Sequence, residues 1–231
     1  MKCSFKDGVI DSIPIVIGFV PIAMTFGILA KNADITMFHC ILFSVLVFAG
    51  ASQFIALNLI LLGAGIGEIV LTTFLVNFRH FLMSASLTTK ITKDMKKWSP
   101  FIAFGITDEV FSVASFKKGT LTKQYIISLE LLAYSAWVSG TVLGYLVGGI
   151  LPKIIKASMG IALYAMFVAI LIPEAKKSIK PIILAGLSGI INSICIYFLT
   201  LPQGWSIVIS IVLTSFIGLF LFKEEEEAVY E

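Results

Sequence analysis

The chain has 231 residues, of which 58% are hydrophobic and 13% charged, with a mean hydropathy of +1.00 and a formal net charge of +3. So apolar a composition excludes an ordinary soluble domain and points to an integral membrane protein. The Lys residues lie in short stretches between apolar runs instead of on one basic face, which argues against nucleic acid as a partner and makes them reporters of membrane orientation.

In chain order, residues 9–30 form the first apolar run, with Pro14, Gly18, Pro21 and Gly27 inside it. Its prolines predict a kink or break. It lacks a small-residue cleavage motif, so it is expected to stay in the mature protein. The second run, 36–62, is interrupted by Phe48-Ala49-Gly50-Ala51-Ser52-Gln53. Small residues with a Ser and a Gln at membrane depth predict close helix packing or a re-entrant turn around residues 48–53.

The third run, Glu68 to Thr89, carries Asn77-Phe78-Arg79-His80 at its midpoint. A guanidinium at that depth is costly, from about 2.5 to above 10 kcal/mol depending on the scale, so it must face protein or a water-filled cavity. Arg79 is also the single Arg among seventeen basic residues. Where any cation would serve this chain uses Lys, so Arg79 is expected to be used for its planar fork, which grips a carboxylate through two parallel hydrogen bonds. At about 100° per residue, Thr73, Asn77, His80 and Ser84 share one stripe, Thr72, Arg79 and Ser86 another, and Leu71, Phe74, Phe78, Phe81 and Leu82 cover the rest. One half of this helix is expected to face lipid and the other a polar interior. The alternative is a buried structural knot of Arg79 and His80 that ties helices together.

After a Lys-rich loop at 90–97, the run 99–116 carries Thr107-Asp108-Glu109 at its centre. Adjacent carboxylates there must be protonated, paired or wet, and a break around residues 105–110 is expected. Arg79 and the 107–109 turn are expected to meet, because pairing is the usual way such groups persist in a low-dielectric interior. Further apolar runs follow at 125–151, 157–173, 181–201 and 205–222, before an acidic tail at 224–231. The fold expected is an all-α integral membrane protein, a multi-span bundle of about six to eight apolar segments forming a single polytopic domain over 1–231. If every run crosses, Lys divides almost evenly between the two sides. If 99–116 dips in and returns, Lys collects strongly on one side, which places the loops at 90–98 and 117–124 and the C-terminus in the cytoplasm.

Three cysteines, Cys3, Cys40 and Cys195, show neither a disulfide framework nor metal-ligand spacing and are expected to serve packing. No GxxxxGK[ST] loop, GxSxG elbow or HExxH helix is present. An intramembrane enzyme using His80 with Ser84 or Ser52 is therefore the weaker reading, and a channel or structural subunit is a third.

The blocks PIAMTFGILA (21–30), FAGASQFIALNLILLGA (48–64), NFRHFLMSASL (77–87) and TDEVFS (107–112), in this order and spacing, resemble the AzlC family of branched-chain amino acid permeases. The resemblance is strong over about residues 9–116 and rests on length and hydropathy beyond. It implies a secondary exporter of the branched-chain amino acids Ile, Leu and Val, with Met as a further candidate, in the cytoplasmic membrane with a small partner subunit of the AzlD type. No cofactor or metal is implied. An amino acid offers a carboxylate, an ammonium and an apolar side chain. Arg79, Asp108 or Glu109 and the surrounding Phe residues supply matching groups, with Ser52, Gln53, Asn77, His80 and Thr107 as further polar contacts. An acid or His80 is the candidate for carrying a coupled proton.

Overall fold

The structure is a computed structural model that describes residues 3–90, 93–117, 119–150, 168, 171–172, 175–176 and 178–222. Among these residues the protein is an all-α, multi-span membrane protein. Nine α-helices are bounded within the described residues: α1 (Phe5–Asn32), α2 (Met37–Leu46), α3 (Gly50–Leu61), α4 (Ile66–Leu87), α5 (Ser99–Gly105), α6 (Asp108–Phe116), α7 (Lys123–Val147), α8 (Lys180–Tyr197) and α9 (Gln203–Leu221). Five of them, α1, α4, α7, α8 and α9, are long and apolar enough to cross a bilayer. The acidic tail at 224–231, and all of the run at 157–173 except residues 168, 171 and 172, lie outside the described residues.

The helices begin where the sequence supplies caps. Ser4 and Asp7 form a reciprocal capping box on α1, with Asp7 N donating to Ser4 Oγ (3.2 Å) and Ser4 N to Asp7 Oδ2 (2.7 Å). Thr36, Thr107 and Thr122 cap α2, α6 and α7 through their side-chain oxygens. α1 runs unbroken through Pro14 and Pro21, so of the two expected alternatives, kink or break, the break is absent. Thr25 Oγ1 donates to the Pro21 carbonyl (2.9 Å) in the adjoining turn.

The chain forms two compact units, one drawn from 1–57 and 76–163 and the other from 58–75 and 164–231. In the first unit α1 packs along α7 at backbone distance, because glycines remove the side chains that would hold them apart. A Cβ on Gly144 would lie 2.0 Å from the Met24 carbonyl oxygen, and one on Gly27 2.2 Å from that of Thr141. Around this seam lies a core of Phe19, Phe26, Phe54, Tyr125, Leu129 and Trp137. Gly144→Ala is expected to destabilise the protein by about 3 kcal/mol or more, since backbone on the far side cannot yield. Gly18→Ala, with nothing within 4 Å of the added carbon, is expected to be neutral or slightly stabilising. Thermal unfolding in detergent distinguishes the two.

In the second unit α8 and α9 pair. Ser206 Oγ donates to Asn192 Oδ1 (2.6 Å), and Gly218 leaves room for Leu184. The first half of α4 belongs here too, with Thr72 Oγ1 donating to the Gly204 carbonyl (3.4 Å).

Candidate functional site

Both predicted interruptions exist, and each is a few residues long. Helix α2 ends at Leu46, and Val47, Phe48 and Ala49 leave the helical path before α3 starts at Gly50. Phe48 adopts a left-handed φ of 39°, a strain of about 1–3 kcal/mol for a residue with a Cβ. Its ring is held edge-on to Tyr134 (5.1 Å between centroids) and Phe19 (6.3 Å), and such pairs offset part of that strain. Gly50 is required at the start of α3, because a Cβ there would meet the Trp137 ring at 2.6 Å.

The second interruption separates α5 from α6 at Ile106 and Thr107. Both residues are extended, and Thr107 Oγ1 accepts from Val110 N (3.3 Å) to cap α6. Asp108 and Glu109 thus occupy the first turn of α6, where the helix dipole favours negative charge.

Arg79 reaches this turn. Its Nη2 lies 3.0 Å from Asp108 Oδ2, with about a third of each side chain still exposed (33% and 28%). The pair is made by Asp108, not by its neighbour Glu109, and it is a single contact instead of the expected two-pronged grip. Arg79 Nε is buried without a hydrogen-bond partner, and so is Asn77 Oδ1. The other end of the Asn77 amide donates to Ser52 Oγ (3.0 Å), which itself donates to the Ala49 carbonyl (2.9 Å), so α4 is tied to the first interruption as well as the second. His80 Nδ1 lies 3.1 Å from the Asn77 carbonyl. The Ser52 hydroxyl is engaged by Ala49 and Asn77 and not by His80, so no Ser–His nucleophile is assembled there.

The wheel drawn from sequence holds at most positions, but Ser86 is exposed and Leu71 partly buried. Phe74, Phe78, Phe81 and Leu82 are exposed, Thr72 is buried, and Thr73, Asn77, Arg79, His80 and Ser84 are partly buried. A mainly apolar pocket of ≈ 230 Å³ opens between α4 and α5, lined by Phe81, Ser84, Ile102 and Ile106 among others. Ser84 is one turn beyond His80 on the same stripe, and Ile106 is two residues before Asp108.

Gln53 takes a different place from the one expected. Fully buried, it donates to Ser44 Oγ (3.1 Å) and accepts from Trp137 Nε1 (2.8 Å), while Ser44 and Thr141 share a hydrogen bond (2.7 Å). Both ends of its amide are committed to this knot.

Two features escaped sequence reasoning. Asp11 Oδ2 accepts from Lys117 Nζ (2.6 Å) and Tyr125 OH (2.8 Å), closing the start of α1 against the start of α7. The hydrogen bond to Asp11 raises the Lys117 pKa above its ordinary value. The stabilisation is therefore present at neutral pH and lost only as pH rises through that raised value. The second is Glu130 on α7, 8% exposed and with Oε1 unpartnered. A lone carboxylate in a long apolar run was the available signal.

The family profile described as AzlC protein matches residues 14–151, which contain the whole of this site. Similar proteins include an uncharacterized membrane protein of Archaeoglobus fulgidus, 35% identical over 74% of this chain and 76% of that one. Inner membrane protein YgaZ of Escherichia coli is 30% identical over 85% and 83% of the two chains. Branched-chain amino acid transport protein AzlC of Bacillus subtilis is 27% identical over 77% and 70%. No solved structure matches. On the extent of the profile match and these shared lengths, the chain belongs to the AzlC family.

Proposed function

We propose that this protein is a secondary transporter, not an enzyme, and that it exports branched-chain amino acids across the cytoplasmic membrane with a small AzlD-type partner subunit. The observation that carries the reading is the Arg79–Asp108 pair at a helix interruption, with Arg79 Nε and Asn77 Oδ1 buried and unsatisfied. Buried polar atoms without partners are costly, and a site that leaves one donor and one acceptor open suits a solute that brings both. In this reading the substrate carboxylate takes Arg79 Nε, its ammonium takes Asn77 Oδ1 and Asp108, and its aliphatic side chain enters the pocket beside Ile106. Ser52 and Thr107 hold the two interruptions in shape, and Glu109 and His80 flank the pair. The name carried by the Bacillus subtilis relative supports the substrate class.

The test is efflux of isoleucine, leucine, valine and methionine from cells preloaded with dipeptides, with and without this chain, and with and without a co-expressed small subunit. Faster loss of the branched-chain amino acids only when both chains are present is the expected result. Unchanged intracellular levels for all four would overturn the reading.

Orientation follows from the Lys distribution: the loops at 90–98 and 117–124 and the C-terminus face the cytoplasm. Cysteines placed singly at Lys93, Lys118 and Glu227 in a cysteine-free background are expected to resist an impermeant thiol reagent in intact cells. Labelling at Lys118 alone would mean that α5 and α6 together cross the membrane.

A further inference from the structure

Glu130 is the single acidic residue of α7, and the fold makes room for it. A Cβ on Gly105 would lie 2.5 Å from Glu130 Cδ and 2.7 Å from Oε2, so the carboxyl occupies the space that a side chain at the last residue of α5 would fill. This is the negative end of a helix, whose last carbonyls have no partners within it. A neutral carboxyl can donate a hydrogen bond to such carbonyls, whereas a carboxylate is repelled by them.

Among the described residues no cation pairs with Glu130. Glu130 lines a groove of ≈ 240 Å³ with Trp98, Phe101, Phe104, Leu131 and Tyr134. From α5 the facing groups are apolar. From α7 the titratable group that lines the groove beside Glu130 is Tyr134, whose hydroxyl donates to the Val45 carbonyl (3.0 Å). Asp11, Lys117 and Tyr125 satisfy one another at the start of α7, and Lys31 lies over the Tyr145 ring near its end. Lys123 Nζ sits 3.3 Å from the centre of the Trp98 ring, an aromatic–Lys pairing typical of the membrane–water boundary, which marks the wet end of the groove.

We propose that Glu130 is the proton-carrying carboxyl of this transporter, coupled to the Arg79–Asp108 site through the interruption at Gly105–Asp108. The inference rests on the transport reading above and names its coupling ion. A proton arriving along the groove adds to a Glu130 oxygen, and the neutral carboxyl holds the end of α5 in place. Loss of that proton to water leaves a carboxylate against the α5 carbonyls, and the end of α5 moves away. Asp108 is three residues further along the chain, so its contact with Arg79 shifts with it. No other bond forms or breaks.

Two measurements test this in purified protein. The first uses proteoliposomes that hold this chain together with the small subunit, and radiolabelled isoleucine, and reads the ratio of net movement with a pH gradient to that without one. Wild type is expected to show a ratio well above one, Glu130→Gln a ratio of one, and Glu130→Asp an intermediate value. A Glu130→Gln ratio equal to wild type overturns the proposal. The second needs no substrate: the infrared stretch of a protonated carboxyl is followed during alkaline titration in detergent. The expected band disappears on alkalinisation, is missing from Glu130→Gln and is shifted in Glu130→Asp; an identical band in all three proteins overturns the proposal. If wild type moves no isoleucine but the Glu130 band titrates, the substrate assignment fails and the proton site stands.

Discussion

Arg79→Lys is expected to lower the proposed branched-chain amino acid efflux by about 10- to 100-fold while the protein stays at its normal level in the membrane. That range corresponds to about 1.5–3 kcal/mol for one lost hydrogen bond to a charged group. Lys keeps the charge, and its ammonium can reach toward Asp108, but it has no second donor where Arg79 Nε now lies buried and unpaired. If Nε–H serves the substrate carboxylate, the loss appears in transport and not in folding. Initial efflux rates set against immunoblotted membrane levels read this directly. Wild-type efflux in the Lys variant would reduce Arg79 to a simple positive charge. Loss of the protein would instead make the pair a structural tie between α4 and α6.

The second large effect is energetic coupling between Arg79 and Asp108. A double-mutant cycle of Arg79→Gln with Asp108→Asn, read as thermal stability in detergent, is expected to show about 1–2 kcal/mol of interaction. This lies above the value for a fully exposed pair and below that for a fully buried one, since each side chain keeps about a third of its surface. Each single change leaves the other charge unbalanced, so the double variant is more stable than additivity predicts. The matching cycle with Glu109→Gln is expected to be additive within about 0.5 kcal/mol. Coupling to Glu109 in place of Asp108 would mean that the pair exchanges partners in solution. Efflux is expected to stay absent from the Arg79–Asp108 double variant even where stability returns.

Both interruptions were legible in sequence because residues that break or cap helices stood inside otherwise apolar runs. Gly50 and Ser52 marked the first, and Thr107 with Asp108 marked the second. Arg79 stood out by its cost and by the chain's use of Lys everywhere else. The choice between Asp108 and Glu109 was not legible, since adjacent residues on a helix point about 100° apart and only the path of α6 decides which one faces Arg79. Gln53 was read as open to a ligand because one of its two partners is distant: Trp137 is 84 residues away in sequence, and no local pattern announces a knot closed at that range. Glu130 was hidden for a related reason. Its environment is set by the missing side chain of Gly105 on another helix, and that is a property of packing.

The seam between α1 and α7 also bears on which parts of the protein can move. Two backbones that meet at 2.0–2.2 Å from a would-be Cβ have no slack to slide or rotate, so they form the fixed frame of their unit. The short helices α5 and α6, seven and nine residues long, have few internal hydrogen bonds to lose. In hydrogen–deuterium exchange, amides along the Gly27 and Gly144 faces are therefore expected to be among the slowest to exchange. Those from Ile102 to Phe111 should exchange sooner and respond to added amino acid, which would locate the working stroke in the broken pieces and the bearing surface in the glycines.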